Sequence, residues 1–172
     1  MRVPKSPLEG ELTALRRATS EDAELLVAWH ADPEVSRFWD GETFTREEML
    51  ERLARDDVDP YIVMEDAEPV GYLQVWFDTR DSSVGGLDMF LIPEARGRGL
   101  GPDSARAIAR WLLATGLVRG LTVDPYLSND RAVAAWKKVG FVPVEHRSRD
   151  EDHTEAWLLM AFQPIDALPD GE

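Results

Sequence analysis

The stretch "IPEARGRGLGPDSARAI", residues 92–108, gathers Gly97, Gly99 and Gly101 with Arg96 and Arg98 in one short loop, and Arg106 and Arg110 follow on a helical pattern. A glycine loop that runs into a helix aims several backbone N–H groups at one point, with the positive helix end behind them. That arrangement suits an anion. Glycine lets the backbone approach a phosphate closely and adopt φ above zero. No Lys-Ser or Lys-Thr follows Gly101, and the alternating glycines leave no G-x-x-G step, so the loop is neither a Walker loop nor a dinucleotide fingerprint. A tight structural turn is the competing reading of the same residues.

Three further residues could carry chemistry. Asp88 sits in the middle of the strand-like "GLDMF", where aspartate is disfavoured. It is either a site carboxylate or an exposed or ion-paired strand residue. Asp124 in "TVDPY" either faces a ligand or belongs to an Asp-Pro turn. Asn129 in "SNDRA" stands where a helix cap belongs. The chain has no cysteine, which excludes disulfides, thiolate metal sites and a cysteine nucleophile. His30, His146 and His153 are far apart without metal-ligand spacing, so none is assigned a catalytic or metal role, and no metal is expected.

The elements that must position these residues can be read from pattern. "ELTALRRAT" alternates as a first strand, and Ser20 is the expected N-cap of a helix carrying Ala23, Leu26, Val27 and His30. "DPEVSRFW" restarts a short helix after Pro33. Thr45 with Glu48 predicts a capping box ahead of a further helix. "PYIVMED" and "PVGYLQVWFDT" predict a hairpin, and "GGLDMFLI" a third strand stopped by Pro93. Pro102 fits the first turn of the next helix, which ends near Gly116. "RGLTVDP" is a strand, "NDRAVAAWKKVGF" a helix stopped by Gly140, and "FVPVEHRSR" and "EAWLLMAFQ" are closing strands. Such an order packs as a central mixed sheet covered by helices.

At 172 residues the chain is expected to form one domain, with a core over about 11–163 and a loose tail at 164–172. The net charge of −14 argues against nucleic acid and anionic membrane surfaces, and suits either a cationic small molecule or basic peptide or simply a well-solvated acidic surface. "MRVPKSPLEG" has no apolar run, and no segment reaches membrane-spanning length, so a cytoplasmic location is the default expectation. Monomer and homodimer both stay open.

Arg96, Gly99 and Gly101 match the R/Q-x-x-G-x-G/A loop of the GNAT superfamily of acetyl-coenzyme A-dependent N-acetyltransferases. "SNDRAVAAWKKVGF" is similar to that family's second cofactor segment. The resemblance implies an α/β (α+β) fold with a mixed, mostly antiparallel sheet of six to seven strands flanked by helices. More narrowly, "FWDGE", "PYIVMEDAEPVGYLQVW", "GLDMFL" and "VDPYLSNDRAVAAWKKVGF" resemble aminoglycoside 6′-N-acetyltransferases, from about Trp29 to Met160. That likeness implies acetyl transfer to the 6′-amine of an aminoglycoside, and so antibiotic resistance.

By the same likeness, the coenzyme pyrophosphate would lie over the N–H groups of Arg96, Gly97, Arg98, Gly99, Leu100 and Gly101. The pantetheine arm would run beside Met89, Phe90 and Leu91, whose N–H groups near Met89 and Phe90 would polarise the thioester carbonyl. Asn129 would orient the cofactor as well as cap its helix. An amine attacks only when neutral, so a base must collect its proton, and Asp88 is the candidate. Asp88, Asp124 and, less directly, Asp152 would meet a cationic acceptor. Trp29, Trp39, Tyr61 and Trp76 could wall its pocket or belong to the core, with Trp39 and Trp76 the site candidates. Trp136 stands where many relatives carry a tyrosine that protonates the departing thiolate, a job an indole cannot do, and Tyr126 is the substitute candidate. Rival implications are a GNAT enzyme for a lysine derivative of siderophore synthesis, and a non-catalytic acyl-coenzyme A-binding module.

Overall fold

A computed structural model describes residues 7–163 of the chain; the expected loose tail lies outside the described residues. The fold begins with two short strands, β1 (Leu8–Glu9) and β2 (Ala14–Arg17), followed by a 3-10 turn at Ser20–Asp22 and three helices. These are α1 (Ala23–His30), α2 (Pro33–Ser36) and α3 (Arg46–Leu53). Thr19, not the expected Ser20, opens this region: its hydroxyl and the Asp22 carboxylate form a reciprocal capping box. The two neighbouring hydroxyl residues cannot be ranked from sequence, and a one-residue slip at an element boundary results. Thr45 and Glu48 form the predicted box at α3.

The sheet continues through β3 (Val58–Glu65), β4 (Glu68–Phe77) and β5 (Val84–Leu91), joined as an antiparallel meander. After the glycine loop come α4 (Leu100–Ala114), β6 (Gly120–Val123), α5 (Asp130–Val139), β7 (Phe141–Arg147) and β8 (Trp157–Phe162). The spatial order is β1-β2-β3-β4-β5-β6-β8-β7, eight strands where six to seven were expected. The additional strand is β1, whose two residues are too short to show alternation. The Asp103 carboxylate on α4 secures the turn after it, accepting from the N–H groups of Glu11, Leu12 and Thr13 and from the Thr13 hydroxyl.

Side chains alternate across the strands and build two cores. Leu73, Val75 and Leu87 join Ile108, Leu112, Leu121 and Phe141 on the face covered by α4 and α5. Ile62, Tyr72 and Phe90 join Leu26, Val35 and Met49 on the face covered by α1 to α3. Asp88 lies two residues before Phe90 and so shares the second face.

One strand relationship shapes the site. All neighbours are antiparallel except β5 and β6, which pair in parallel only from Val84 to Gly86. A parallel pair needs a crossover, which α4 supplies. Beyond Gly86, β5 continues to pair with β4 alone among the described residues. Residues 87–91 therefore present one free edge where β5 and β6 part.

Candidate active site

The parted strands open into a cleft of ≈ 1250 Å³. Pockets for one drug-sized molecule span about 300–1000 Å³, so this one has room for two reactants side by side. One end is lined by Met89 and Leu91, the glycine loop, the start of α4 and the α5 face from Asn129 to Val139. The other is lined by Trp39, Asp40, Gln74, Trp76, Asp124 and His153. Asp88 lines the cleft from the strand between them.

The glycine loop works through its backbone. Gly97 and Gly99 adopt left-handed conformations, φ 79° and 80°, and Gly99 caps α4 without a side-chain bond. Among the described residues, no protein acceptor meets the N–H groups of residues 97–101. The arginine side chains play a different part from the one expected. Arg96 donates from Nε to the Leu91 carbonyl (3.1 Å) and from Nη2 to the Glu34 carbonyl (2.8 Å), tying the loop to β5 and α2. Arg98 is exposed and pairs with Glu65 at 2.5 Å. Arg106 donates to the Lys138 carbonyl and joins α4 to α5. The loop's own free donors for an anion are thus its amides, at the positive end of a helix of 15 residues, with Arg131 and Lys138 of α5 also lining the cleft. Asn129 Oδ1 accepts from Ala132 N–H (3.1 Å) and caps α5, so its capping role is realised while it also lines the cleft.

Asp88 is half-buried on β5 and directly opposite Gln74 on β4. A chain of hydrogen bonds runs along this face: Tyr72 O–H donates to Gln74 Oε1 (3.0 Å), and Gln74 Nε2 donates to Asp88 Oδ2 (2.9 Å). Burial and the facing charge of Asp124 push the Asp88 carboxyl up to about 7, against the Gln74 bond, which favours the ionised form. A carboxylate poised there can accept a proton near neutral pH.

The end lined by Trp39, Trp76 and Asp124 is more polar than the sequence suggested. Trp76 lies opposite Gly86, and a Cβ on that glycine would overlap the indole, so Gly86 lets the ring lie across β5. Trp39 stands edge-on to Phe90 at 5.6 Å and to Tyr72 at 5.9 Å, half core and half cleft wall. Trp29 and Tyr61 belong to the cores rather than the wall, and Trp136 is buried on Phe141 with one side on the cleft. Tyr126 donates its O–H to Asp40 Oδ1, bringing together residues 86 positions apart in the chain. Burial, then that bond, raises the phenol above its usual range. Asp152 is exposed at the cleft rim. Sequence reasoning does not single out Asp40 and assigns His153 no role, yet both line the cleft, each from a loop without periodicity; the "FWDGE" segment is the available signal for Asp40.

A mixed sheet split between β5 and β6, with a bare amide loop on one side and a poised carboxylate between, defines a two-reactant cleft with an anion site beside a proton-accepting group. A family model described as an acetyltransferase (GNAT) domain matches residues 18–149, and the chain belongs to that family. Aminoglycoside N(6′)-acetyltransferases type 1 from Klebsiella pneumoniae and Serratia marcescens are each 32% identical over 145 residues, 74% of this chain and 72% of theirs. A solved structure of AAC(6′)-Ib in complex with paromomycin and acetyl-CoA has a TM-score of 0.81 at 25% identity, covering 94% of this chain and 100% of that one. An N5-hydroxyornithine acetylase from Beauveria bassiana is 26% identical over 149 residues, 80% of this chain and 27% of its own length.

Proposed function

We propose that this chain is an acetyl-CoA-dependent N-acetyltransferase that acetylates the 6′-amine of aminoglycosides and so confers resistance to them. The observation that carries the reading is Asp88: a carboxylate held near neutrality in the wall of a two-reactant cleft, between an amide-lined anion cradle and further carboxylates. The relatives named above support the acceptor class.

The cradle fits the coenzyme, since residues 97–101 offer N–H groups without protein acceptors and glycines that expose them. Acetyl-CoA supplies the acetyl group as a thioester. The free edge around Met89 and Phe90 would meet the thioester carbonyl with the one backbone N–H of the two that faces away from β4. Asp88 takes the proton that leaves the acceptor nitrogen, so that the nitrogen presents its lone pair. Asp124 and Asp40 hold the acceptor by charge-assisted bonds, Trp39 and Trp76 offer ring faces to its sugars, and Asp152 meets it at the rim. Tyr126 is the hydroxyl that can return a proton to the departing sulfur. A thiol with a pKa of about 8.5 leaves well near neutral pH, so the reaction leans little on that step.

The hydroxyornithine acetylase relative favours a second reading, acetylation of an ornithine- or lysine-type amine. Thiol release measured over kanamycin, gentamicin and tobramycin beside lysine and ornithine derivatives separates the two. Turnover with the antibiotics is expected, and activity confined to the amino-acid derivatives would end the aminoglycoside reading. Binding of acetyl-CoA without thiol release for any amine would reduce the protein to a binding module.

A further inference from the structure

His153 reaches the acceptor wall from the segment between β7 and β8. Its Nε2 lies 2.7 Å from Asp124 Oδ2 and its Nδ1 lies 2.8 Å from Asp150 Oδ1. Ionised carboxylates only accept hydrogen bonds. A neutral imidazole has one N–H and can satisfy one of these partners, whereas an imidazolium has two and satisfies both.

The rest of the surroundings fix that ring in place. It stacks on Trp157 with centroids 4.0 Å apart and planes within 13°. Trp157 Nε1 donates to the other Asp150 oxygen at 3.1 Å, and the Arg147 guanidinium lies over the Trp157 ring at 5.3 Å. Tyr126 stands edge-on to the imidazole at 6.4 Å. The N–H groups of Asp152 and His153 also donate to Asp150 Oδ1, which orients the carboxylate. The His153 side chain is 14% exposed, while those of Asp124 and Asp150 are 32% and 43% exposed, so the ring is enclosed and solvent reaches the pairs from the carboxylate side. Burial opposes its charge, but the bonds to Asp124 and Asp150 outweigh it and hold the ring above the ordinary histidine value.

The other wall carboxylates are served differently. Asp88 is met by the neutral amide of Gln74, and Asp40 by the neutral hydroxyl of Tyr126. Among the described residues, Asp124 alone of the three is held in a direct ion pair, with the Arg52 charge acting on Asp88 without contact. We propose that His153 is a specificity-determining residue: its imidazolium, held between Asp124 and Asp150, fills from within the chain one cation position of the acceptor wall. The site then favours acceptors that bring their ammonium groups to Asp88 and Asp40 and a hydroxyl to Asp124. This inference rests on the aminoglycoside reading above.

The test compares wild type with His153→Gln on pairs of aminoglycosides that differ by one amino-for-hydroxyl replacement, kanamycin B against kanamycin A among them. In the variant, at least one pair is expected to shift its KM ratio by up to about fivefold toward the amino member, the upper scale of one partly exposed ion pair, while kcat changes far less. Ratios unchanged across every pair, or an equal loss of kcat for every acceptor, would overturn the assignment. Ring signals provide a second readout, since the chain has three histidines. One should titrate above about 6.5, vanish in His153→Gln and move down in Asp124→Asn; a His153 ring titrating at or below that value would also overturn it. Failure of the acceptor class is distinct: wild type would then release no thiol with any aminoglycoside, and the inference would fall with it.

Discussion

Gln74 Nε2 donates to Asp88 Oδ2 at 2.9 Å between residues that are direct register partners on β4 and β5. The Gln74 carbonyl is engaged by the Tyr72 hydroxyl, so the amide can present only its N–H to the carboxylate. This geometry favours the ionised form of Asp88, while burial and Asp124 favour the protonated one. The balance sets the pH at which a base becomes available.

It follows that kcat/KM should rise with pH through an inflection near 7, as Asp88 loses its proton. Asp88→Asn should remove that limb and lower kcat by roughly 10²–10⁴-fold, the usual scale of a general base. Gln74→Leu should move the inflection up, because the bond that favours the carboxylate is lost. Asp124→Asn should move it down, because a repelling charge is removed. Profiles taken with one acceptor cancel that acceptor's own titration, and a limb that stays in place in Asp88→Asn would dismiss Asp88 as the base.

The anion cradle makes a separate prediction. Gly99 has φ +80°, which costs a side-chain-bearing residue about 1–2 kcal/mol. Gly99→Ala should therefore disturb the loop and weaken acetyl-CoA binding about tenfold by calorimetry. Arg98→Ala should cost less, since that guanidinium is exposed and already engaged by Glu65. The reverse order would mean that the coenzyme is held by the arginine and not by the amides.

How far the sequence carried these assignments depended on whether the signal was local. The glycine loop, the capping box at Thr45, the Asn129 cap and a mid-strand Asp88 are each written in a few consecutive residues. The partners that give Asp88 its chemistry are not. Gln74 and Tyr72 were visible only as alternating strand residues, and their role comes from β4–β5 register. Asp40 meets Tyr126, and His153 meets Asp124, by tertiary folding of irregular segments. The arginines of the loop illustrate the converse: composition suggested free positive charge, whereas folding committed Arg96 to backbone carbonyls and Arg98 to Glu65.

Tyr126 tests the proton-return step. Its O–H is bound to Asp40 and lies 3.3 Å from Thr154 Oγ1. If the departing thiol needs little help, Tyr126→Phe should lower kcat by less than about tenfold, well short of the usual effect of a general acid. A loss as deep as that of Asp88→Asn, with the alkaline side of the pH profile altered, would make the phenol an essential acid.

The last prediction concerns stability and comes from the aromatic box behind the cleft wall that carries Trp39. His30 is 2% exposed, with Phe44, Phe90 and Trp39 rings edge-on at 4.9, 5.1 and 5.5 Å. Its Nδ1 has no hydrogen-bond partner among the described residues. Burial first, and Arg52 second, push its pKa down to about 4. The unfolded chain takes up that proton near 6.5, so between there and about 4 the unfolded state holds more protons, and stability falls as pH falls. At pH 5 this residue alone should cost on the order of 2 kcal/mol. Asp88 works in the opposite sense below its own midpoint, so the comparison must be differential. Between pH 7.5 and 5, urea denaturation of His30→Phe should lose less stability than wild type by on the order of 2 kcal/mol. Equal losses in the two proteins would show that the buried ring carries no part of the acid sensitivity.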